Sequence, residues 1–280
     1  MLAESIHSIA DTGNQGLLML GTRRANRPPD ESHPFGYSMS RYFWAFVVSL
    51  VLFTLGGVFA IYEGIDKLVH PHSLESPAWA IGVLGFATLL EAYSFRTAWN
   101  ETKPLLRGDS LLAFVRRTKS PELPVVLLED TGALFGLAIA FVGVVLATIT
   151  DNPRFDAAGS LAIGILLVLI AGLLAVEMSS LLIGEAADAD EIVALKAAIA
   201  RGPHFERLIH LRTMQLGPDN ILVAAKVAFD RTLTVAQLAD AIDGIEVEIR
   251  AAVADVQMIF IEPDVYRPDA PQPDAESRSH

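Results

Sequence analysis

Two groups of ionisable residues interrupt otherwise apolar stretches of this chain. His7 and Asp11 are four residues apart, so on a helix they share a face, one turn apart, and Asn14 extends the same stripe. Glu129 and Asp130 lie about two turns into an apolar run from Leu123 to Ile149. A carboxylate at the centre of a bilayer costs about 2.5–3.5 kcal/mol on insertion scales and is rarely idle there. One imidazole nitrogen and several carboxylate oxygens, without a thiolate, make a donor set that suits zinc or a similar divalent cation. A pair from each of two facing helices would supply four ligands. The spacing fits two other readings equally well: a hydrogen-bonded pair at His7 and Asp11, and a proton relay at Glu129 and Asp130.

Other chemistries are excluded by residue type. With no cysteine, thiolate metal sites, disulfides and cysteine nucleophiles are ruled out. H-E-x-x-H, a P-loop lysine motif and G-x-S-x-G are all missing. No enzymatic activity and no resident cofactor are expected; a divalent cation would be a substrate.

The elements that must position these residues are membrane helices. Of 280 residues, 52% are hydrophobic and only 19% charged, against about a quarter charged in a typical soluble domain. Mean hydropathy is +0.41. Tyr42 to Tyr62 encloses about twenty residues without a charge, enough to cross a hydrocarbon core. Pro77 to Asn100, Leu123 to Ile149 and Phe155 to Ile183 are of similar length, and Leu2 to Leu20 is a fifth, more polar span. The lipid bilayer is thus an expected partner. Glu63 and Glu177 fall near the membrane boundary, and the Gly56-Gly57 pair predicts close helix packing.

Composition changes after Gly184. Residues 1–184 carry a net charge of −4 and residues 185–280 a net of −8. The overall charge of −12 argues against nucleic acid as a partner. Asp188 to Ala200 predicts a helix, Arg207 to Leu216 and Ile221 to Phe229 two strands, Thr234 to Ala254 a helix, and Val256 to Glu262 a last strand. The order α-β-β-α-β makes a small sheet with helices on one face. The expected division is a transmembrane domain over 1–184, an α/β domain over 185–266 and a disordered tail over 267–280. Lys and Arg concentrate in the loop after the first span and in the connection before the fourth. By the positive-inside rule both are cytoplasmic, which places the C-terminal domain in the cytoplasm and the protein in a cell (inner) membrane.

Three motifs in this order resemble the cation diffusion facilitator family: H-S-I-A-D-T-G-N-Q from His7, H-P-F-G-Y from His33 followed by R-Y-F-W, and L-E-D-T from Leu128. The last form looks most like the family's divergent branch that includes the mitochondrial zinc transporter of animals. The resemblance implies a homodimeric, proton-coupled exporter of divalent metal, most simply Zn²⁺, with a C-terminal domain of ferredoxin or metallochaperone type that dimerises. It implies a transport site in which His7 and Asp11 face Asp130. Val126 stands where that family has a second His, and Glu129 is the residue that compensates: down the helix axis, Glu129 and Asp130 are about 100° apart with the Val126 direction between them. The family's second, loop-borne site is matched by Asp30 and His33, with Tyr37 in place of another His; a structural loop histidine fits His33 equally. Ile209, Lys226 and Phe260 occupy the expected metal-ligand positions of the C-terminal domain, so metal sensing there is expected to be lost.

Two other readings compete with zinc export. One is transport of Mn²⁺, Fe²⁺ or Co²⁺, which carboxylate-rich sites favour. The other is a non-transporting membrane scaffold whose C-terminal domain binds a protein. The family has six spans and its H-S-x-x-D motif lies on the second, so the five spans here predict that an upstream reading frame encodes roughly 17–25 further apolar residues. An in-frame stop directly before Met1, together with transport by the chain as written, would refute that expectation.

Overall fold

The computed structural model describes residues 2–71, 77–106, 108 and 110–267; the side chains of residues 2–11 and 77 lie outside that description. Nearly all of the proposed C-terminal tail is therefore also outside it. The chain divides into two compact units, Met1–Ile183 and Gly184–His280.

The first unit is helical: α1 (Leu2–Ala25), α2 (Ser40–Val69), α3 (Pro77–Thr102), a short α4 (Leu111–Arg117), α5 (Glu122–Thr150) and α6 (Arg154–Ile183). Among the described residues, four helices are long and apolar enough to cross a membrane, and they coincide with α2, α3, α5 and α6. With 24 residues, α1 is long enough for the same role but more polar. Arg23 and Arg24 close its last turn, where cations complement the helix dipole. The core draws on Leu18 of α1, Tyr42, Val48 and Leu52 of α2, Val125 and Leu128 of α5, and Leu167, Leu174 and Met178 of α6. On α3, Phe86, Leu89, Leu90 and Tyr93 are exposed, as expected of a helix whose backbone bonds are met internally while its side chains face lipid.

Two features of this unit were not read from the sequence. From Leu52 to Val58, α2 winds as a π-helix, a wider turn that appears as an interruption within α-helices. And the basic connection before α5 contains α4. Ser110 caps it, accepting a hydrogen bond from the Ala113 amide at 3.2 Å, and Phe114 and Val115 are buried. Seven residues are too few for a clear helical period.

The expected close packing at Gly57 is present, and it extends further. A Cβ on Gly57 would come within 2.6 Å of Val168 Cγ2 and 3.1 Å of its backbone nitrogen. A Cβ on Gly164 would lie 2.7 Å from the backbone nitrogen of Ile61, and one on Gly64 2.8 Å from that of Leu161. Helices α2 and α6 thus meet backbone to backbone, the approach that small residues permit in membranes.

The second unit has the predicted order: α7 (Ala189–Arg201), β1 (Phe205–Gly217), β2 (Asn220–Phe229), α8 (Val235–Ala252) and β3 (Val256–Asp264). The sheet order is β1-β2-β3; β1 and β2 are antiparallel, β2 and β3 parallel. A parallel pair needs a crossover, and α8 supplies it. Ile221, Val223, Ala225 and Val227 alternate along β2 onto one face, where Leu195 and Ile199 of α7 and Ile245 and Ile249 of α8 cover them. Both helices start as their sequences predict. The Glu191 side chain accepts from the Asp188 amide at 2.8 Å, and Thr234 Oγ1 accepts from the Gln237 amide at 3.3 Å while the Gln237 side chain accepts from the Thr234 amide at 2.9 Å.

The backbone seam yields a stability prediction. Gly164→Ala should lower the thermal midpoint of the detergent-solubilised protein, because the new methyl meets backbone that cannot rotate away. Gly172→Ala on the same helix, where a Cβ meets nothing within 4 Å, should leave the midpoint unchanged or raise it. Equal midpoints for the two variants would contradict the seam.

Candidate metal centre

Helix α5 carries both carboxylates of the candidate site. Glu129 and Asp130 are each 7% exposed, and being consecutive they point about 100° apart. Each meets a different neighbour. Asn14 Nδ2 on α1 donates to Glu129 Oε1 at 2.6 Å, and Ser94 Oγ on α3 donates to Asp130 Oδ2 at 2.9 Å. Three helices therefore converge at the level of these residues. These hydrogen bonds offset part of the cost of burying polar groups.

The register between α1 and α5 follows from two contacts. Thr22 Oγ1 donates to Glu122 Oε1 at 3.5 Å, and Asn14 to Glu129. Descending eight residues on α1 matches ascending seven on α5, so the helices run antiparallel. Continuing that register, position 11 falls level with residue 132, about 3 Å of axial rise from Asp130. Position 7 falls level with residue 136, about two turns beyond Glu129. The side chains of His7 and Asp11 lie outside the described residues, and among the described residues no group of three or more metal-ligand side chains forms. Among the described residues, the structure thus brings Asn14 of α1 onto Glu129.

Ion pairs tie the helix ends. Arg41, at the start of α2, makes a two-pronged contact with Glu122 at the start of α5, Nε to Oε1 at 2.5 Å and Nη2 to Oε2 at 2.9 Å. Arg116 of α4 lies 3.7 Å from Glu177 of α6. Elsewhere, Lys67 Nζ reaches Glu63 at 3.1 Å, Asp156 at 3.0 Å and Ser160 Oγ at 3.1 Å. Glu63 and Glu177 thus pair with cations within two turns of their helix ends.

In the loop between α1 and α2, Asp30 and His33 come together, His33 Nδ1 lying 3.7 Å from Asp30 Oδ1. Asp30 is already committed. Its Oδ1 accepts from the Ser32 hydroxyl at 2.6 Å and from the amides of His33 at 2.8 Å and Ser32 at 2.9 Å, and its Oδ2 accepts from Tyr37 at 2.6 Å. Ser32, Tyr37 and the His33 amide hold the Asp30 carboxyl well below the usual carboxylate range. The His33 ring packs on Tyr37, with centroids 4.2 Å apart. Tyr37, at the position of the second loop His, thus serves as a donor to Asp30.

In the second unit a charged row replaces the expected metal ligands. Lys226 pairs in register with His210 on β1 and Glu262 on β3. Its ammonium lies 2.8 Å from Glu262 and 3.2 Å from Asp264, which hold its pKa above the usual lysine range. Phe260 is more than half exposed.

Two residues that donate to the carboxylates were not singled out as partners from sequence. Ser94 carries no signal, since a lone serine within an apolar run is ordinary. The stripe through His7 and Asp11 pointed to Asn14, but not to its bond with Glu129.

Residues 1–183 match the family described as the cation efflux transmembrane domain. The chain is 33% identical over 232 residues to the human protein named proton-coupled zinc antiporter SLC30A9, mitochondrial, covering 82% of this chain and 41% of that one. It is 30% identical over 237 residues to metal tolerance protein C4 of Arabidopsis thaliana, covering 84% and 52%, and 23% identical over 277 residues to the manganese efflux system protein MneP of Bacillus subtilis, covering 95% and 86%. The chain spans about half the length, or less, of the first two relatives. The family match over the whole helical unit, carrying the paired carboxylates of α5, identifies this chain as a membrane-integral member of the cation diffusion facilitator family.

Proposed function

We propose that this chain exports divalent cations from the cytoplasm in exchange for protons, with Zn²⁺ as the first substrate. The observation that carries the reading is the burial of Glu129 and Asp130 side by side in α5, each held by a neutral donor from another helix. Such a pair serves a cation better than it serves packing. Asp130, Asp11 and His7 bind the ion, with Glu129 as the fourth ligand. Ligands must shed protons to bind metal, so protons arriving from outside favour release, and exchange needs no other energy source. Alternating access rocks the helices about this fixed site. The second unit lies on the cytoplasmic side and joins two copies into a homodimer. Transport of Mn²⁺ is the second reading, favoured by the predominance of oxygen ligands and by the similarity to the manganese efflux system protein of Bacillus subtilis.

The deciding experiment is uptake of Zn²⁺, Mn²⁺, Fe²⁺ and Co²⁺ into vesicles containing the full chain, with internal pH followed at the same time. Metal-dependent proton movement is expected, largest with Zn²⁺; no uptake of any ion would leave a scaffold role standing. In the same assay Asp11→Ala or Asp130→Ala should abolish flux without changing the dimer, and wild-type flux from either would remove that residue from the site. Glu129→Gln should weaken metal binding and flatten its dependence on pH around neutrality, because one proton-competing ligand is gone. An unchanged pH profile would place Glu129 outside the ligand set.

We read Asp30 and His33 as loop scaffold in preference to a second metal site. Because the folded pKa of Asp30 is lowered, its bonds are intact above the ordinary carboxylate range and are lost only as pH falls through the folded value. Tyr37→Phe removes one donor, so protease resistance of the loop between α1 and α2 should begin to fail at a higher pH than in the unaltered chain. For the second unit, calorimetry on a segment from Glu185 to Arg267 should detect no tight Zn²⁺ binding, since Lys226 occupies an expected ligand position; submicromolar affinity would overturn this.

A further inference from the structure

Asn14 is 1% exposed, and its amide is only half used. Nδ2 donates to Glu129 Oε1 at 2.6 Å, while Oδ1 has no hydrogen-bond partner among the described residues. The amide nitrogen is the end that faces Glu129, and the carbonyl oxygen is the end left over. A fully buried carbonyl oxygen without a donor is costly, and in native structures it calls for a water or an ion. This oxygen belongs to the same planar group that grips Glu129. It therefore lies at the edge of the carboxylate pair, on the α1 stripe that also carries position 11.

We propose that Asn14 gives the cation site a neutral carbonyl oxygen and thereby sets its selectivity; the inference rests on the transport reading above. Zn²⁺ is satisfied by four ligands in a tetrahedron. Mn²⁺ prefers octahedral, oxygen-rich coordination. A further neutral oxygen adds coordination without adding negative charge, so it matters more to Mn²⁺ than to Zn²⁺. Nδ2 has a separate positioning role: it holds one Glu129 oxygen and so fixes the direction of the other.

The test uses the full chain in vesicles and two readouts for each variant: the Zn²⁺ concentration giving half-maximal uptake, and the Mn²⁺ concentration that halves Zn²⁺ uptake. Asn14→Leu keeps the branched shape and removes both polar ends. The Mn²⁺ value should rise about tenfold or more, the scale on which loss of a supporting group weakens metal binding, and the Zn²⁺ value by a clearly smaller factor. Asn14→Ser keeps a shorter oxygen and should shift the Mn²⁺ value in the same direction by less; it decides the matter if the leucine variant fails to fold. Mn²⁺ and Zn²⁺ values that move by the same factor, or that both stay put, would overturn the assignment and leave Asn14 a packing residue beside a bound water. Those outcomes leave the transport reading intact. Absence of uptake of any divalent ion by the unaltered chain would sink the transport reading itself, and this inference with it.

Discussion

Two consecutive carboxylates on a helix that must cross lipid set the terms for the rest of the helical unit. Their directions differ by about 100°, so no single neighbour can satisfy both. Two helices have to bring a donor each, and they bring neutral ones: an amide from α1 and a hydroxyl from α3. The arginines stay at the helix ends, where Arg41 grips Glu122 and Arg116 approaches Glu177. The unit thus separates its charges by depth. Ion pairs fasten the ends, and the buried acids of the interior take hydrogen bonds from an amide and a hydroxyl.

The second unit handles a comparable set of positions in the opposite way. Lys226 lies between His210 and Glu262 in the sheet register, and its ammonium reaches two carboxylates. A permanent cation built into the strand holds acids that would otherwise be available to a metal. In the sheet these charges therefore tie β2 to β3.

Much of this was legible in the sequence, for particular reasons. Long uncharged runs announce membrane helices because lipid tolerates little else, and the alternation of Ile221, Val223, Ala225 and Val227 announces a half-buried strand. The carboxylates on α5 stood out because acids are rare in such runs. The rest depended on information that no local pattern holds. Ser94 matters only through its distance to Asp130, and the widened turn at Leu52–Val58 leaves no local pattern in the sequence. Seven-residue α4 is too short to show a period. At Asp30 the pairing with His33 was visible, but the competing grip of Ser32 and Tyr37 on the same carboxylate came from the shape of the loop.

The glycine seam between α2 and α6 has a mechanical meaning. Where Gly57, Gly64 and Gly164 let main chain touch main chain, no side chain stands between the two rods. A contact without rotamers cannot relax by repacking, and close-packed matter transmits strain with little give. A displacement of one rod is therefore resisted directly by the backbone of the other. Helix α3 is built differently, with much of its surface outward and a serine hydroxyl among its holds on α5. The rigid seam thus lies between α2 and α6, and α3 meets α5 through side chains.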